Sequence, residues 1–233
     1  AKAPPRYEVK APQGAPNVVI VLIDDIGFGA SSAFGGPCRM PNLDRMAGNG
    51  LRYNRFHTTA LCSPTRTALL TGHNHHANNA GAIMEMATAF PGNTGIRPRE
   101  ITPLAQILRQ NGFSTAMFGK YHETPPWEVS ASGPYDRWPT GSGFDKFYGF
   151  IGGETNQWAP SLYDGLAHVE LPNDPKQSQR LGDLGAKYKV YIGYHAHTQA
   201  TDTAWDTALA QSPYNSMNLD CGHYIAAGGN NTT

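Results

Sequence analysis

The chain has 233 residues, 39% of them hydrophobic and 15% charged, with 26 Gly, 18 Pro and a formal net charge of +0. That balance suits one globular domain, or one and a fragment, with a real core and much loop; without a dense Lys/Arg run there is no electrostatic reason to propose nucleic acid or an anionic membrane surface. No apolar run approaches membrane-span length and AKAPPRYEVK holds no leader pattern, so a soluble chain with a small partner is expected, cytoplasmic in preference to periplasmic.

Residues 1–16 are Pro-rich and read as an extended lead-in. NVVIVLIDD follows, and its β-branched run from Val18 to Ile23 predicts a strand buried on both faces of a parallel sheet. MPNLDRMAGNG predicts a helix with Leu43 and Met46 on one face and Gly48 and Gly50 as stops; LRYNRF predicts a second strand. In CSPTRTALLTG, Ser63 is a good N-cap and Pro64 a good first helical residue, so a helix should carry Thr65 to about Thr71 and end at Gly72. Cys62 then sits at the positive end of that helix, where unpaired amides favour an anion and lower a thiol's pKa. The plainer alternative is a small buried apolar cysteine.

The stretch from His73 to Glu100 is irregular. ITPLAQILRQNG predicts the best helix, capped by Thr102, opened by Pro103, apolar at Leu104, Ile107 and Leu108, and ended by Gly112. STAMF predicts a third strand running into GKYH, and the alternation points to an α/β layer architecture. From Tyr121 to about Gly165 the chain is a long Pro-, Gly- and aromatic-rich loop, of the kind used as a wall or lid. Its Trp127, Trp138 and Trp158 suit packing of the loop to the body, with stacking on an aromatic ligand as the alternative. Beyond Leu171, KYKVYIGYH predicts a strand and DTAWDTALA a short helix, before a frayed GGNNTT end.

Asp24 and Asp25 end the first predicted strand, at the sheet edge where open α/β folds gather ligands. Adjacent carboxylates call for a cation, and oxygen donors suit Ca²⁺ or Mg²⁺; a turn cap is the competing reading. Lys120 and His122 follow a strand and should open on the same edge, although singly they read as a solvated lysine and a loop histidine. His73, His75 and His76 are too tightly clustered for zinc and read as a polar wall near the site. Cys38, Cys62 and Cys221 are odd in number and widely spaced, which argues against a disulfide framework or a paired metal site. Cys62-x-x-x-Arg66 is not the thiol-phosphatase loop, whose spacing is longer; Arg66 falls one helical turn on, placed to steady a group attached at 62.

NVVIVLIDDIGFG, MPNLDRMAGNGLRYNRFHTTALCSPTRTALLTG, TAMFGKYH and DRWPTGSGFDKFYGFIGGE together resemble the N-terminal half of a type I sulfatase of the large bacterial arylsulfatase group, over roughly Asn17 to Val169. The Cys-Ser-Pro-Thr-Arg run is the specific part, because in that family it directs oxidation of the cysteine to formylglycine. The resemblance implies an α/β, alkaline phosphatase-like fold, a mainly parallel sheet flanked by helices, present as its N-terminal part. The expected division is a lead-in over 1–16, the N-terminal part of the catalytic domain over 17–171, and a segment without recognised resemblance over 172–233. Asp24, Asp25 and Cys62 match metal ligands, with Ca²⁺ expected and Mg²⁺ the alternative. Arg66 matches the stabiliser of the formylglycine, and Lys120 and His122 the sulfate-binding pair, with Tyr121 where Trp is usual.

The implied activity is hydrolysis of sulfate esters through a formylglycine hydrate. The implied partners are a small-molecule sulfate ester and a formylglycine-generating maturation enzyme, with neither nucleic acid nor membrane. The family's second half brings an Asp-Asn metal pair and a further Lys and His; Pro172 to Thr233 matches none of these motifs. Two alternatives stay open: a phosphate or phosphonate ester hydrolase on the same fold, and a non-catalytic anion- or metal-binding remnant.

Overall fold

A computed structural model describes residues 8–156 and 160–170, with short pieces beyond that include 192–195 and 215–218. The first regular element is helix α1, Pro41–Asn49, which Pro41 opens and Gly50 ends; Gly48 lies inside it and stops nothing. Helix α2 spans Cys62–Thr71 and closes on Gly72, whose left-handed backbone lets its N–H reach Ala68 O at 2.9 Å. It begins earlier than predicted. Leu61 is the cap residue, so Cys62 and Ser63 are helical, and Ser63 spends its hydroxyl as an acceptor for the Met84 amide at 3.3 Å. Helix α3, Leu104–Gln110, is capped by Pro103 in place of Thr102 and buries Ala105 more deeply than the predicted apolar face.

Strand β1, Ala116–Lys120, is the predicted STAMF strand extended through Gly119 and Lys120. It pairs in parallel with β2, Lys146–Phe150, in register Ala116↔Lys146 through Lys120↔Phe150. The two backbones come so close at the Gly119↔Gly149 rung that a Cβ on Gly149 would stand 1.9 Å from Gly119 O. Strands β3, Leu162–Asp164, and β4, Ala167–Val169, then add antiparallel, giving the order β1-β2-β3-β4. The sheet is therefore mixed, where a mainly parallel one was expected. The tight turn at Gly165 makes the difference, since two residues can join antiparallel strands but not parallel ones. Strand β5, Ile192–His195, falls in the predicted KYKVYIGYH segment and pairs in parallel with β6, Asn215–Asn218. The helix expected over DTAWDTALA lies, apart from residues 209–210, outside the described residues, as do Trp158 and Cys221.

Two predicted strands are not formed. Val18–Ile23 is outside any strand, with Val18 78% and Val19 83% exposed, and the LRYNRF segment is irregular, with Leu51 84% exposed. An apolar run becomes a buried strand when neighbours complete its ladder and cover its faces, and the four-stranded sheet ends at β1 without taking either segment.

The core forms where the long loop folds over the sheet. Tyr121, Trp138, Phe147, Ile151 and Tyr163 are buried together, with Leu70 of α2, Met117, Val129, Tyr135 and Phe144 packed around them. The 121–145 stretch is thus half of the core, where a wall or lid was expected. Trp138 is its centre: fully buried, edge-on to Tyr135 and Tyr163, and donating Nε1–H to Glu128 O at 2.7 Å. Trp127 is 56% exposed. Truncating Trp138→Ala should cost about 3–5 kcal/mol of stability, read as the shift in a urea unfolding midpoint, whereas Trp127→Ala should stay within about 1 kcal/mol.

Candidate active site

Four segments far apart in sequence meet at the C-terminal end of β1. Arg66, one turn into α2 from Cys62, donates from Nη1 to Lys120 O at 2.7 Å and from Nη2 to Asp24 Oδ1 at 3.1 Å. Lys120, the last residue of β1, donates from Nζ to Asp24 Oδ2 at 2.6 Å. Both cationic side chains are nearly buried, and Asp24 is the carboxylate between them. Burial alone would raise the Asp24 pKa, but Lys120 and then Arg66 outweigh it and hold the carboxyl below its ordinary value. Asp25 follows with φ 51, a left-handed backbone that turns the chain directly after Asp24.

His122 lies two residues past Lys120, also left-handed at φ 59, and is buried. Its Nε2 is 2.7 Å from Glu85 Oε2, on the 3-10 helix Met84–Met86. Its other nitrogen, Nδ1, is buried and has no hydrogen-bond partner among the described residues, while the ring interacts with the Cys62 side chain. Burial disfavours the imidazolium, yet Cys62 and Glu85 raise His122 to about 9. Cys62 is half-buried and free; burial raises its thiol pKa, and His122 and Lys120 bring it net below the ordinary value. A cleft of about 950 Å³ runs up to this cluster, lined by Asp24, Asp25, Cys62 and Arg66 and, on its apolar side, by Phe28 and Tyr53 among others.

The chain matches the Sulfatase family over residues 16–212. It belongs to the sulfatase family. The match runs past residue 171, where the motif resemblance ends. An arylsulfatase of Klebsiella aerogenes is 32% identical over 65% of this chain and 32% of its own length; arylsulfatase G of Mus musculus is 39% identical over 61% and 25%. An uncharacterized sulfatase of Schizosaccharomyces pombe is 32% identical over 66% of the chain and 27% of its own length. The chain thus spans about a quarter to a third of these curated relatives. Among solved structures, Ps i-CgsB in complex with k-i-k-neocarrahexaose aligns at TM-score 0.51 and 19% identity, over 90% of this chain and 59% of that one, a likeness of fold. The sulfatase fold is α/β and alkaline phosphatase-like, and sulfatases generally use formylglycine and a divalent metal.

In this sulfatase chain, Asp24, Cys62, Arg66, Lys120 and His122 are gathered at one end of the cleft, and Asp25 lines it. The three histidines expected as a wall do not line it: His75 is bound to Ala80 O at 2.9 Å and its ring lies against His76 in their own turn. The carboxylates are the right donors in kind for a hard divalent cation. They fall short in number, because Asp24 is already engaged by Lys120 and Arg66, and among the described residues no three His, Cys, Asp or Glu side chains group to hold a metal. A divalent ion would need further oxygen ligands. Calorimetry with Ca²⁺ should accordingly give a Kd of about 10⁻⁴ M or weaker, lost on Asp25→Ala.

Glu85 and Glu123 were not legible as site residues. Glu85 stands in IMEMA, where a carboxylate among apolar residues is the available hint; Glu123 directly follows His122. Glu123 is fully enclosed, its Oε1 is without a partner, and burial pushes its carboxyl up to about 8 despite a Thr67 hydrogen bond and the charges of Arg97, His122 and Arg66. Because the folded pKa lies above the ordinary 4.5, this group's contribution to stability is complete below that value and is lost as pH rises toward 8. His122 acts in the same sense from 6.5 to about 9. Melting temperature followed by circular dichroism should fall from about pH 5 to 9 in the parent, and Glu123→Gln should remove the lower part of that decline while leaving His122's share.

Proposed function

We propose that this chain carries the nucleophile and sulfate-binding side of a hydrolase for small-molecule sulfate esters, working through a formylglycine made from Cys62 by a maturation enzyme. The observation that supports it best is the Cys62-Ser63-Pro64-Thr65-Arg66 run at the start of α2, with Cys62 coupled to His122 and Lys120 at the end of a cleft. A hydrated aldehyde at position 62 supplies two hydroxyls on one carbon, one to attack sulfur and one to expel sulfate afterwards. The amides at the start of α2 and the Lys120 ammonium are the groups placed to bind the sulfate oxygens and to meet the charge that builds on them. To do so, Lys120 must share its ammonium between Asp24 and the ligand. Arg66 holds Asp24 and the Lys120 carbonyl together through its two Nη atoms, and its buried Nε, without a partner among the described residues, is left to steady the group at position 62. His122 keeps Nδ1 for the proton traffic of residue 62 and its ester.

Within this reading Asp24 and Asp25 contribute to a divalent-cation site, Ca²⁺ in preference to Mg²⁺. The described residues do not complete the shell of that ion. Among the described residues no helix is long and apolar enough to cross a membrane.

Two measurements test the proposal. Mass spectrometry of the Cys62 peptide from a host with the maturation machinery should show formylglycine; a thiol throughout would remove the mechanism. The modified protein should then hydrolyse 4-nitrophenyl sulfate, with Lys120→Ala slower by about 10²–10³ and Cys62→Ala reduced to background. Because cations and helix amides recognise a tetrahedral oxyanion more than its central atom, 4-nitrophenyl phosphate belongs in the same assay. Faster turnover of the phosphate would transfer the site to phosphate esters.

A further inference from the structure

Glu85 lies 37 residues before His122 and its carboxylate reaches His122 Nε2 at 2.7 Å. Its 3-10 helix is tied to α2 by the Met84 amide donating to Ser63 Oγ at 3.3 Å, one residue from Cys62. The Gly153 backbone N–H is among the groups that hold the Glu85 carboxyl below its ordinary pKa, after His122. Space is as tight as the bonding: a Cβ at Gly153 would stand 2.5 Å from His122 Nε2, 2.6 Å from its Cε1 and 3.1 Å from Glu85 Oε1. The backbone completes the clamp, since the His122 amide donates to Ile151 O at 3.0 Å. With Nε2 committed, the nitrogen left without a partner among the described residues is the buried Nδ1, and Cys62 is the other side chain that interacts most strongly with the ring.

We propose that Glu85 is a positioning residue for His122: its carboxylate accepts the Nε2 proton, with Gly153 leaving room for the contact, and thereby presents Nδ1 to residue 62. Which ring nitrogen does chemistry is set by the hydrogen bond the other one makes. Orienting partners behind functional histidines elsewhere are worth roughly 10–100-fold in activity. The inference rests on the sulfatase reading for its catalytic consequence and on geometry alone for the contact.

The test uses the full, formylglycine-bearing chain labelled with ¹⁵N-histidine. In the parent, the His122 Nε2-bound proton should appear as a hydrogen-bonded, slowly exchanging resonance. Glu85→Ala should lose it; Glu85→Gln, whose amide oxygen still accepts, should keep it. With 4-nitrophenyl sulfate, Glu85→Ala should lower kcat by roughly 10–100-fold with KM within about twofold, and Glu85→Gln should lower it less. Gly153→Ala should reproduce the kcat loss with Glu85 intact, and it carries the test if Glu85→Ala does not fold. An unchanged Nε2 proton in Glu85→Ala overturns the proposal, and so does a lost proton with unchanged kcat. If the parent hydrolyses no sulfate ester, the functional reading fails, and the resonance by itself then decides the contact.

Discussion

The site depends on one carboxylate between two nearly buried cations. Arg66 and Lys120 leave 7% and 8% of their side chains exposed, and charges that deep must be paired. Asp24 is the counter-charge to both, at 3.1 and 2.6 Å. The same contacts fasten the chain: the run that delivers Asp24 has no ladder hydrogen bonds in the described structure, so the two ion pairs fix its end against α2 and β1. Asp24 therefore has a structural duty before any chemistry. Any charged group entering the cleft beside Asp24 competes with pairs the fold is using.

The other half of the site is positioned by ordinary packing. Tyr121 and His122 continue the parallel pairing past the end of β1, with Tyr121 N to Phe150 O at 3.1 Å and His122 N to Ile151 O at 3.0 Å. Tyr121 and Ile151 are buried in the core, and Tyr121 OH is within 2.6 Å of Ser142 Oγ. Tyr121 enters the core, while Lys120 ends the strand with its ammonium on Asp24 and His122, turned by its left-handed backbone, reaches Glu85. The aromatic between Lys120 and His122 is thus a packing residue, and Tyr in place of Trp is accommodated by a hydroxyl partner on the opposite loop.

Legibility from sequence followed the range of the interactions. α1, α2, α3 and β1 were readable because proline, glycine and periodic apolar residues act within one element. Cys62, Arg66, Lys120, His122, Asp24 and Asp25 stand out in local runs, and the contacts that bring Asp24 to Arg66 and Lys120 are what the runs could not show. Val18–Ile23 was misread because apolarity specifies a strand only together with its neighbours, and β2 was hidden in a loop-like stretch because KFYGF becomes a strand by pairing with β1. Glu85 was invisible for a similar reason: its partner is 37 residues away and its own segment has no period. The Ser63 cap failed because tertiary contact with the Met84 amide claimed the hydroxyl.

The two halves of the site are consequently unlike. On one side Lys120 and His122 emerge from a core with Trp138 and Phe147 fully buried, so their backbone positions are set to the precision of packed side chains. On the other, Asp24 and Asp25 follow an apolar run 41–83% exposed, and Leu51, Tyr53 and Phe56 beside the cleft are likewise uncovered. Electrostatic anchoring is softer than packing and is screened by salt where it is partly exposed, as Asp24 is. The side carrying Lys120 and His122 is thus the stiffer one, and the carboxylate side is the one whose geometry further contacts over 18–23 and 51–56 would most change.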